Sequence, residues 1–182
     1  LDPEAIEPHA ILAILYSTQD KTDLATGEYE HALKNASLLQ PSNIDIYKNL
    51  GLIYLRQKRF KDAEQVYRVL VGLMPESEEA HLCLGSVYSE LKQNELSEQE
   101  LKRALALKPD YHPALNALGY LYVEWSKNLD QAEGVIKKAI ELDPNNGAYL
   151  DSLGWLYFKK GAFKQALELL EKASALLADP VI

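Results

Sequence analysis

The residues that could carry out chemistry in this chain are four histidines, one cysteine and scattered serines. His9, His31, His81 and His112 form neither the HExxH pattern of a zinc protease nor a pair at the three- or four-residue spacing that puts two ligands on one helix face. The single cysteine, Cys83, excludes an intramolecular disulfide and a metal cluster built from several cysteines. We therefore expect these residues to serve packing or to lie on the surface, with no bound metal.

Motifs for nucleophilic catalysis and phosphate binding are also missing from the sequence. Ser86 follows Gly85, but the surrounding residues do not complete the Gly-x-Ser-x-Gly turn that exposes a catalytic serine. No glycine-rich loop is present that could hold a phosphate against backbone N–H groups. The sequence therefore predicts a protein that is not an enzyme and takes no cofactor.

The composition of the chain disfavours some classes of binding partner. The chain has 182 residues, of which 47% are apolar, which is typical of a globular protein. Its net charge of −8 disfavours nucleic acid as a partner, because nucleic acid binding rewards clustered Lys and Arg. The apolar runs are too short for a membrane-spanning helix, so we expect no direct membrane insertion by this segment.

The elements that position these residues follow from an internal repeat. The pattern Leu-Gly-x-x-Tyr occurs four times, and its glycines are spaced 34, 34 and 35 residues apart. A second pattern, Ala-x-x-x followed by a large apolar residue, lies between successive copies, and a proline then closes the unit. The glycines are Gly51, Gly85, Gly119 and Gly154. The second pattern is Ala63 with Tyr67, Ala132 with Ile136, and Ala166 with Leu170, whereas the copy after Gly85 departs with Ser97 and Leu101. The prolines are Pro75, Pro109 and Pro144.

These residues resemble the tetratricopeptide repeat (TPR), whose pattern is W-x2-L-G-x2-Y, then A-x3-F, then P. The Trp position is occupied by other residues throughout: Tyr47, His81, Leu115 and Leu150. The resemblance implies an all-α solenoid in which each repeat is an antiparallel pair, helix A and helix B, and the pairs form a right-handed superhelix. Gly and Ala would leave the space that large side chains of the facing helix fill.

The resemblance covers the chain as a single TPR array of five repeats. Their bounds are 6–43, 44–77, 78–111, 112–146 and 147–180; residues 1–5 would end an upstream repeat, and 181–182 would begin a downstream helix. The first repeat is degenerate, with Leu12, Ala13 and Tyr16 at the Leu, Gly and Tyr positions. Its closing proline, Pro41, comes four residues late, which predicts an extra helical turn in helix B or in the loop that follows.

Helix A has a second face beside its packing seam. With the glycine as position 8 and about 100° per residue, positions 4, 7, 8 and 11 form the seam. Positions 2, 5, 9, 12 and 13 lie on another arc, centred about 145° away. The resemblance implies that this arc lines the concave groove where TPR proteins bind peptides or partner helices. The predicted groove residues are Lys48, Leu52, Leu55, Arg56, Leu82, Asn116, Tyr120, Val123, Asp151, Trp155, Phe158 and Lys159.

Trp155 is the leading candidate for the anchor of this groove, because an aromatic residue flanked by polar groups is typical of a binding hot spot. Packing between neighbouring repeats is the alternative for Trp155 and Phe158. The carboxylate clamp of chaperone-tail-binding TPR domains is absent: Lys48 matches it, but Leu52, Cys83, Pro113 and Ala117 occupy its other positions.

The sequence therefore predicts a non-catalytic scaffold that binds a protein or peptide partner in its groove. The alternative is a structural array that self-associates through the last helix, whose residues Phe163, Ala166, Leu167, Leu170 and Ala173 form an apolar edge. A TPR segment that regulates an attached catalytic domain is a third reading. The sequence of the fourth and fifth repeats resembles that of bacterial TPR proteins. This resemblance is compatible with a cytoplasmic location or with a periplasmic, envelope-associated one.

Overall fold

A computed structural model describes residues 6–35 and 44–178, and within these ranges the chain forms ten α-helices and no strand. Each predicted repeat contains one pair of helices joined by a short turn. The helices are α1 (Ile6–Thr18), α2 (Thr22–Asn35), α3 (Ile44–Arg56), α4 (Phe60–Leu73), α5 (Glu78–Glu90), α6 (Asn94–Leu107), α7 (His112–Glu124), α8 (Leu129–Leu142), α9 (Gly147–Lys159) and α10 (Phe163–Ala178). The predicted all-α fold of helix pairs is confirmed.

The chain divides into two compact units. Unit 1, Leu1–Pro75, holds α1 to α4, in which α1 packs on α2, α3 packs on α4, and α2 contacts α3. Unit 2, Glu76–Ile182, holds the pairs α5/α6, α7/α8 and α9/α10. Inside unit 2, α7 contacts both α5 and α9, so the three A helices lie side by side. The single array across 1–182 and its repeat bounds stay a prediction.

Glycine at position 8 lets the two helices of a pair approach closely. A Cβ atom added at Gly119 would lie within 3.0 Å of the Ile136 side chain on the facing helix. The same conflict arises between Gly51 and Tyr67, Gly85 and Leu101, and Gly154 and Leu170. The large residue of the Ala-x-x-x pattern thus fills the space that the missing side chain leaves, as the repeat pattern predicts.

The core of unit 2 combines seam residues of α7 and α9 with other apolar residues of these helices and of the B helices α6 and α8. Its central cluster is continuous from α6 to α9, and its members are Leu101, Leu118, Leu121, Tyr122, Val123, Ala132, Ile136, Leu153 and Leu156. Ser97 replaces the usual alanine of the second pattern and is fully buried. Its hydroxyl donates a 2.7 Å hydrogen bond to the carbonyl oxygen of Gly85 on the facing helix, so the departure from the pattern leaves no buried polar atom unsatisfied.

The turn inside each pair has one repeated backbone conformation. The residue at position 15 has a positive φ in all five pairs: Asp20, Lys58, Lys92, Ser126 and Gly161. The N–H of the next residue donates to the carbonyl of the pattern tyrosine, at 2.9 Å for Lys127 to Tyr122 and for Ala162 to Tyr157. This bond caps the end of helix A in the manner of a Schellman motif.

The sequence departs from the 34-residue period at two places, the 35-residue spacing of two glycines and the late Pro41. The 35-residue spacing is accommodated in the turn between α7 and α8, where Asn128 is an additional residue with positive φ. The late Pro41 and its expected extra turn lie outside the described residues, since the structure describes α2 as far as Asn35. The expected remnants of neighbouring repeats at 1–5 and 181–182 also lie outside the described ranges.

Candidate protein-binding face

Three A helices in unit 2 present positions 2, 5, 9, 12 and 13 on one side. We call this surface the unit 2 face, and we define it by the residues that are at least partly exposed there. They are Glu79, Leu82, Ser86, Ser89 and Glu90 on α5, Pro113, Asn116, Tyr120 and Glu124 on α7, and Ala148, Asp151, Trp155, Phe158 and Lys159 on α9.

The most exposed aromatic group of the unit 2 face is centred on Phe158. Its side chain is 47% exposed and stacks on Trp155, with ring centroids 5.2 Å apart and an angle of 8° between the planes. Phe163, the first residue of α10, meets the Phe158 ring edge-on at 5.7 Å and is 63% exposed. The Lys159 ammonium lies 4.8 Å from the centre of the Trp155 ring. A flat apolar surface with a neighbouring cation is therefore available to solvent.

Trp155 takes part in packing between neighbouring repeats, which is one of the two roles predicted for it. It is half-buried and packs against the central core cluster of unit 2. Its indole Nε1 donates a 2.7 Å hydrogen bond to Oε1 of Glu124, which joins α9 to α7 of the preceding repeat. The predicted alternative of packing between repeats is thus observed for Trp155, while more of the Phe158 ring is exposed to solvent.

Tyr120 is the second exposed aromatic residue of the unit 2 face. Its side chain is 40% exposed, yet partial burial raises the pKa of its hydroxyl, and the carboxylates of Glu124, Glu90 and Asp151 raise it further. These acids come from α7, α5 and α9 respectively, so three A helices direct negative charge towards one tyrosine.

Not every predicted groove residue reaches this surface. Val123 is 0% exposed and belongs to the central core cluster, so the prediction that its side chain lines a groove is corrected. Position 12 lies only about 40° from the seam glycine, because four residues advance a helix by about 400°. The small valine turns inward there, whereas the larger Phe158 at the same position extends outward. Leu82 is half-buried against the same cluster.

Asn116 lies in the unit 2 face with its side chain partly buried. Its Oδ1 atom is inaccessible to solvent and accepts no hydrogen bond from the part of the chain that the structure describes. Asp151 and Lys159, in contrast, are exposed residues of the α9 part of the face. The structure therefore brings Asn116, Tyr120, Asp151, Trp155, Phe158 and Lys159 onto one side of unit 2.

Two of the four predicted residues of unit 1 line a separate pocket. Leu52 and Arg56 line an open pocket of about 250 Å³, together with Ile14, Ser17, Thr18, Tyr29, Asn49 and Ile53. Lys48 and Leu55 are half-buried on the same helix. Sequence reasoning omitted the α1 residues of this pocket. The repeat numbering could have found them, because Ile14, Ser17 and Thr18 occupy positions 9, 12 and 13 of the degenerate first repeat.

Half-buried carboxylates between repeats join α7 and α9, two of the A helices that carry the unit 2 face, to the preceding B helices. Oε1 of Glu98 accepts hydrogen bonds from Tyr122 at 2.7 Å and from Lys102 at 2.6 Å, and Lys127 donates to Oε2 at 3.1 Å. The bond from Lys102, supported by those from Tyr122 and Lys127, lowers the pKa of Glu98 to about 2.

The next repeat reproduces this arrangement around Glu133. Its carboxylate accepts from Lys137, Lys160 and Tyr157 at 2.7, 2.8 and 3.0 Å, and its pKa is lowered to about 2. Tyr122 and Tyr157 are both pattern tyrosines of an A helix, whereas Glu98 and Glu133 lie on the preceding B helices. These bonds therefore join successive repeats and hold α7 and α9 in place.

Two of the histidines, His81 and His112, contact side chains of neighbouring helices. Nδ1 of His81 lies 2.6 Å from Oε2 of Glu100, and His81 is buried at the Trp position of the pattern. His112 contacts the Tyr149 hydroxyl at 2.7 Å. Among residues 6–35 and 44–178, no three His, Cys, Asp or Glu side chains are grouped so as to hold a metal ion. No helix in these ranges is long and apolar enough to cross a membrane.

Comparison with known proteins agrees with this architecture. A sequence model described as tetratricopeptide repeat matches residues 12–78 and 117–178, and a second model of the same description matches residues 79–111. No curated protein matches the chain.

Several solved structures resemble the chain over most of its length. The crystal structure of MamA is 26% identical with a TM-score of 0.72, covering 94% of this chain and 91% of that one. YrrB, described as a TPR protein with an unusual peptide-binding site, is 24% identical with a TM-score of 0.67, at 98% and 90% coverage. PilF of Pseudomonas aeruginosa is 21% identical with a TM-score of 0.72, at 94% and 76% coverage.

The matches to the tetratricopeptide repeat sequence models extend over more than half of the chain and coincide with the observed helix pairs. Together with the fold, they support a general role as a scaffold for protein–protein interaction. The glycine seam, the Ala-x-x-x pattern and the family match all lead to one assignment: the chain belongs to the tetratricopeptide repeat family.

Proposed function

We propose that this protein is a non-catalytic scaffold whose unit 2 face binds a peptide segment or a helix of a partner protein. The observation that carries the proposal is the exposure of Phe158 and Tyr120 on neighbouring A helices, 47% and 40% of each side chain respectively. Large apolar rings at a water-exposed surface gain free energy when a partner covers them, at about 25 cal/mol per Å² of apolar area buried.

The surroundings of these rings resemble those of a protein-binding hot spot. Trp155 supports Phe158 from the core side, and its bond to Glu124 keeps the stack in one orientation. A ring that is already ordered loses little conformational entropy on binding, so more of the contact free energy remains as affinity. Polar groups such as Asp151 surround the rings and would supply hydrogen bonds at the rim.

Site-directed photocrosslinking would test this proposal. A photoreactive phenylalanine analogue is placed at position 158 of the full chain, or at the exposed position Gln131 on α8 as a control. Proteins crosslinked from position 158 alone are identified by mass spectrometry and purified, and their affinities for the wild type and for Phe158→Ala and Gln131→Ala are measured. We expect at least a tenfold loss for Phe158→Ala, the equivalent of about 1.4 kcal/mol. Equal affinities would refute the proposal.

Self-association through α10 is the second candidate function. On this helix Phe163, Leu167 and Leu177 are exposed apolar residues, and Leu167 is 58% exposed. Ala166 and Ala173, predicted to lie on the same apolar edge, are buried, so that part of the prediction is corrected. The exposed apolar side chains of α10 favour burial against another surface, which a second copy of the chain would provide.

Light scattering across a concentration series separates the two candidates. Self-association predicts a rising molar mass in the wild type and a constant monomer mass in Leu167→Glu, with Phe158→Ala behaving like the wild type. A constant monomer mass for the wild type up to high concentration would exclude the second candidate and leave the first one untouched.

A further inference from the structure

The charge of the unit 2 face is strongly asymmetric. Four acids occupy its positions, Glu79, Glu90, Glu124 and Asp151, whereas Lys159 is the only cation there. Glu90, Glu124 and Asp151 come from three successive A helices and all act on Tyr120. Each of these acids is exposed, so its charge reaches the space in front of the tyrosine ring.

Three of these acids, Glu90, Glu124 and Asp151, are not neutralised by an ion pair within residues 6–35 and 44–178. Glu90 and Asp151 form no ion pair with any residue in the part of the chain that the structure describes, and Glu124 accepts only the neutral indole N–H of Trp155. Lys127 and Lys160, which follow α7 and α9, are bound to Glu98 and to Glu133. The ammonium of Lys159 is held over the Trp155 ring. Negative charge on this face is therefore uncompensated around Tyr120.

We propose that the partner segment received by the unit 2 face is basic: it carries Lys or Arg side chains alternating with large apolar ones. This inference rests on the proposed function of the same face, and it adds the chemistry of the occupant. It is also the opposite of an acidic tail, for which the chain offers no cluster of cations on this face.

The arrangement suits such a segment in two ways. A cation placed over the ring of Tyr120 would interact with its π system while it lies within reach of carboxylates from three helices. The apolar side chains of the segment would meanwhile cover Phe158 and Phe163, whose rings adjoin. Charge would steer the segment to the face and set its orientation, and the aromatic rings would supply most of the buried area.

The experiment uses the full chain and three short synthetic peptides. In the first peptide Lys alternates with Leu and Phe; in the second Glu replaces each Lys; in the third Ser replaces each Leu and Phe. Affinities are measured by fluorescence anisotropy at low salt and at about 0.15 M salt, where the Debye length is about 8 Å. We expect the first peptide to bind at least tenfold more tightly than either of the others, with affinity falling as salt rises.

Two charge variants and one control locate the effect. Glu90→Gln and Asp151→Asn should each weaken the first peptide by about two- to fivefold, as expected for exposed ion pairs. Glu141→Gln, an exposed acid on α8 that lies outside the unit 2 face, should leave its affinity unchanged. Phe158→Ala should weaken it at least tenfold.

Each contrary result has a distinct meaning. If the first and third peptides bind equally, or if Glu141→Gln weakens binding as much as Glu90→Gln does, the attraction is a general charge effect and the inference is overturned. If the first and second peptides bind equally while Phe158→Ala weakens both, the face binds a partner but not a basic one. If Phe158→Ala changes nothing for any peptide or identified partner, the proposed function itself fails.

Discussion

At the scale of single residues, one helical position has two outcomes. Position 12 holds Val123 in α7 and Phe158 in α9, and the first is buried while the second is exposed. Both lie at the border between the seam and the unit 2 face, about 40° from the seam glycine. The spacing of residues could therefore predict the arc but not the direction of each border side chain.

Two alanine substitutions would distinguish the ring that stabilises the fold from the ring that is available to a partner. Trp155→Ala should lower the free energy of unfolding by roughly 2–3 kcal/mol, because the half-buried indole packs on the core and bonds to Glu124. Phe158→Ala should lower it by no more than about 1 kcal/mol, since the ring is largely exposed. Urea denaturation measures both, and equal losses would show that the two rings have the same structural role.

The lowered pKa of Glu98 predicts that the stability of the protein depends on pH in the acidic range. Its pKa is lowered from 4.5 to about 2 in the folded state. A carboxylate with a depressed pKa stabilises the fold fully above its unfolded pKa and loses this contribution as the pH falls through the folded one. We therefore expect the free energy of unfolding to fall between about pH 4.5 and pH 2, and Glu98→Gln to show a shallower fall.

The stability that Glu98 contributes at neutral pH can be measured with one variant and one control. At neutral pH, Glu98→Gln should cost roughly 1–2 kcal/mol, because it weakens charge-assisted bonds between neighbouring repeats. Glu141→Gln removes an acid without such partners in the described ranges and should keep the wild-type pH profile. Thermal melts from pH 7 to pH 2 would measure both profiles. Identical slopes for the wild type and Glu98→Gln would rule out this role.

At the scale of helices and turns, the repeated left-handed residue is a source of strain. Lys92 has a φ of 59° in the turn between α5 and α6, whereas the corresponding residue between α9 and α10 is Gly161. A side chain is disfavoured in this conformation, and glycine adopts it without a steric cost. Lys92→Gly should therefore stabilise the protein by roughly 0.5–1 kcal/mol in thermal or urea denaturation.

The reverse change tests the same explanation. Gly161→Ala should destabilise the protein by about 1 kcal/mol, because alanine would have to adopt a φ of 77°. Open space surrounds the added Cβ, so a loss of stability there would come from the backbone rather than from a clash. A destabilising Lys92→Gly together with a neutral Gly161→Ala would contradict the explanation.

The helix pairs were predictable because their signal lies in recurrent spacing. Gly119 and Ile136 identify a close approach of two helices from the sequence alone, and the structure confirms it. Other features depend on contacts between residues far apart in the chain. The bond from Trp155 to Glu124 spans 31 residues, and no local pattern reports it. The sequence also could not place the additional residue of the fourth repeat, Asn128, which the turn accommodates through a second positive φ.

At the scale of the whole molecule, the division into two compact units has a measurable consequence. Unit 2 contains the central core cluster, the bonds of Glu98 and Glu133, and every residue of the unit 2 face. Repeat proteins are stabilised mainly by contacts within and between adjacent repeats. The face should therefore depend on residues 76–182 alone.

A fragment comprising residues 76–182 tests this independence. We expect it to be helical, to unfold cooperatively, and to bind the partner or peptide within about threefold of the affinity of the full chain, a difference of less than 1 kcal/mol. Circular dichroism and fluorescence anisotropy provide the two measurements, and Phe158→Ala in the fragment is the control for binding at the same face. An unfolded fragment, or one that is folded but inactive, would show that unit 1 is required.

The hydrogen bond of Ser97 bears on how such a chain can diverge. Its acceptor is the main-chain carbonyl of Gly85, and a main-chain carbonyl is present at that position whatever the side chain. An exchange of Ala for Ser at this point of a repeat therefore needs no second substitution to satisfy the new hydroxyl. Copies of a repeat could therefore depart from their common pattern at this point in a single step without leaving a buried hydroxyl unsatisfied.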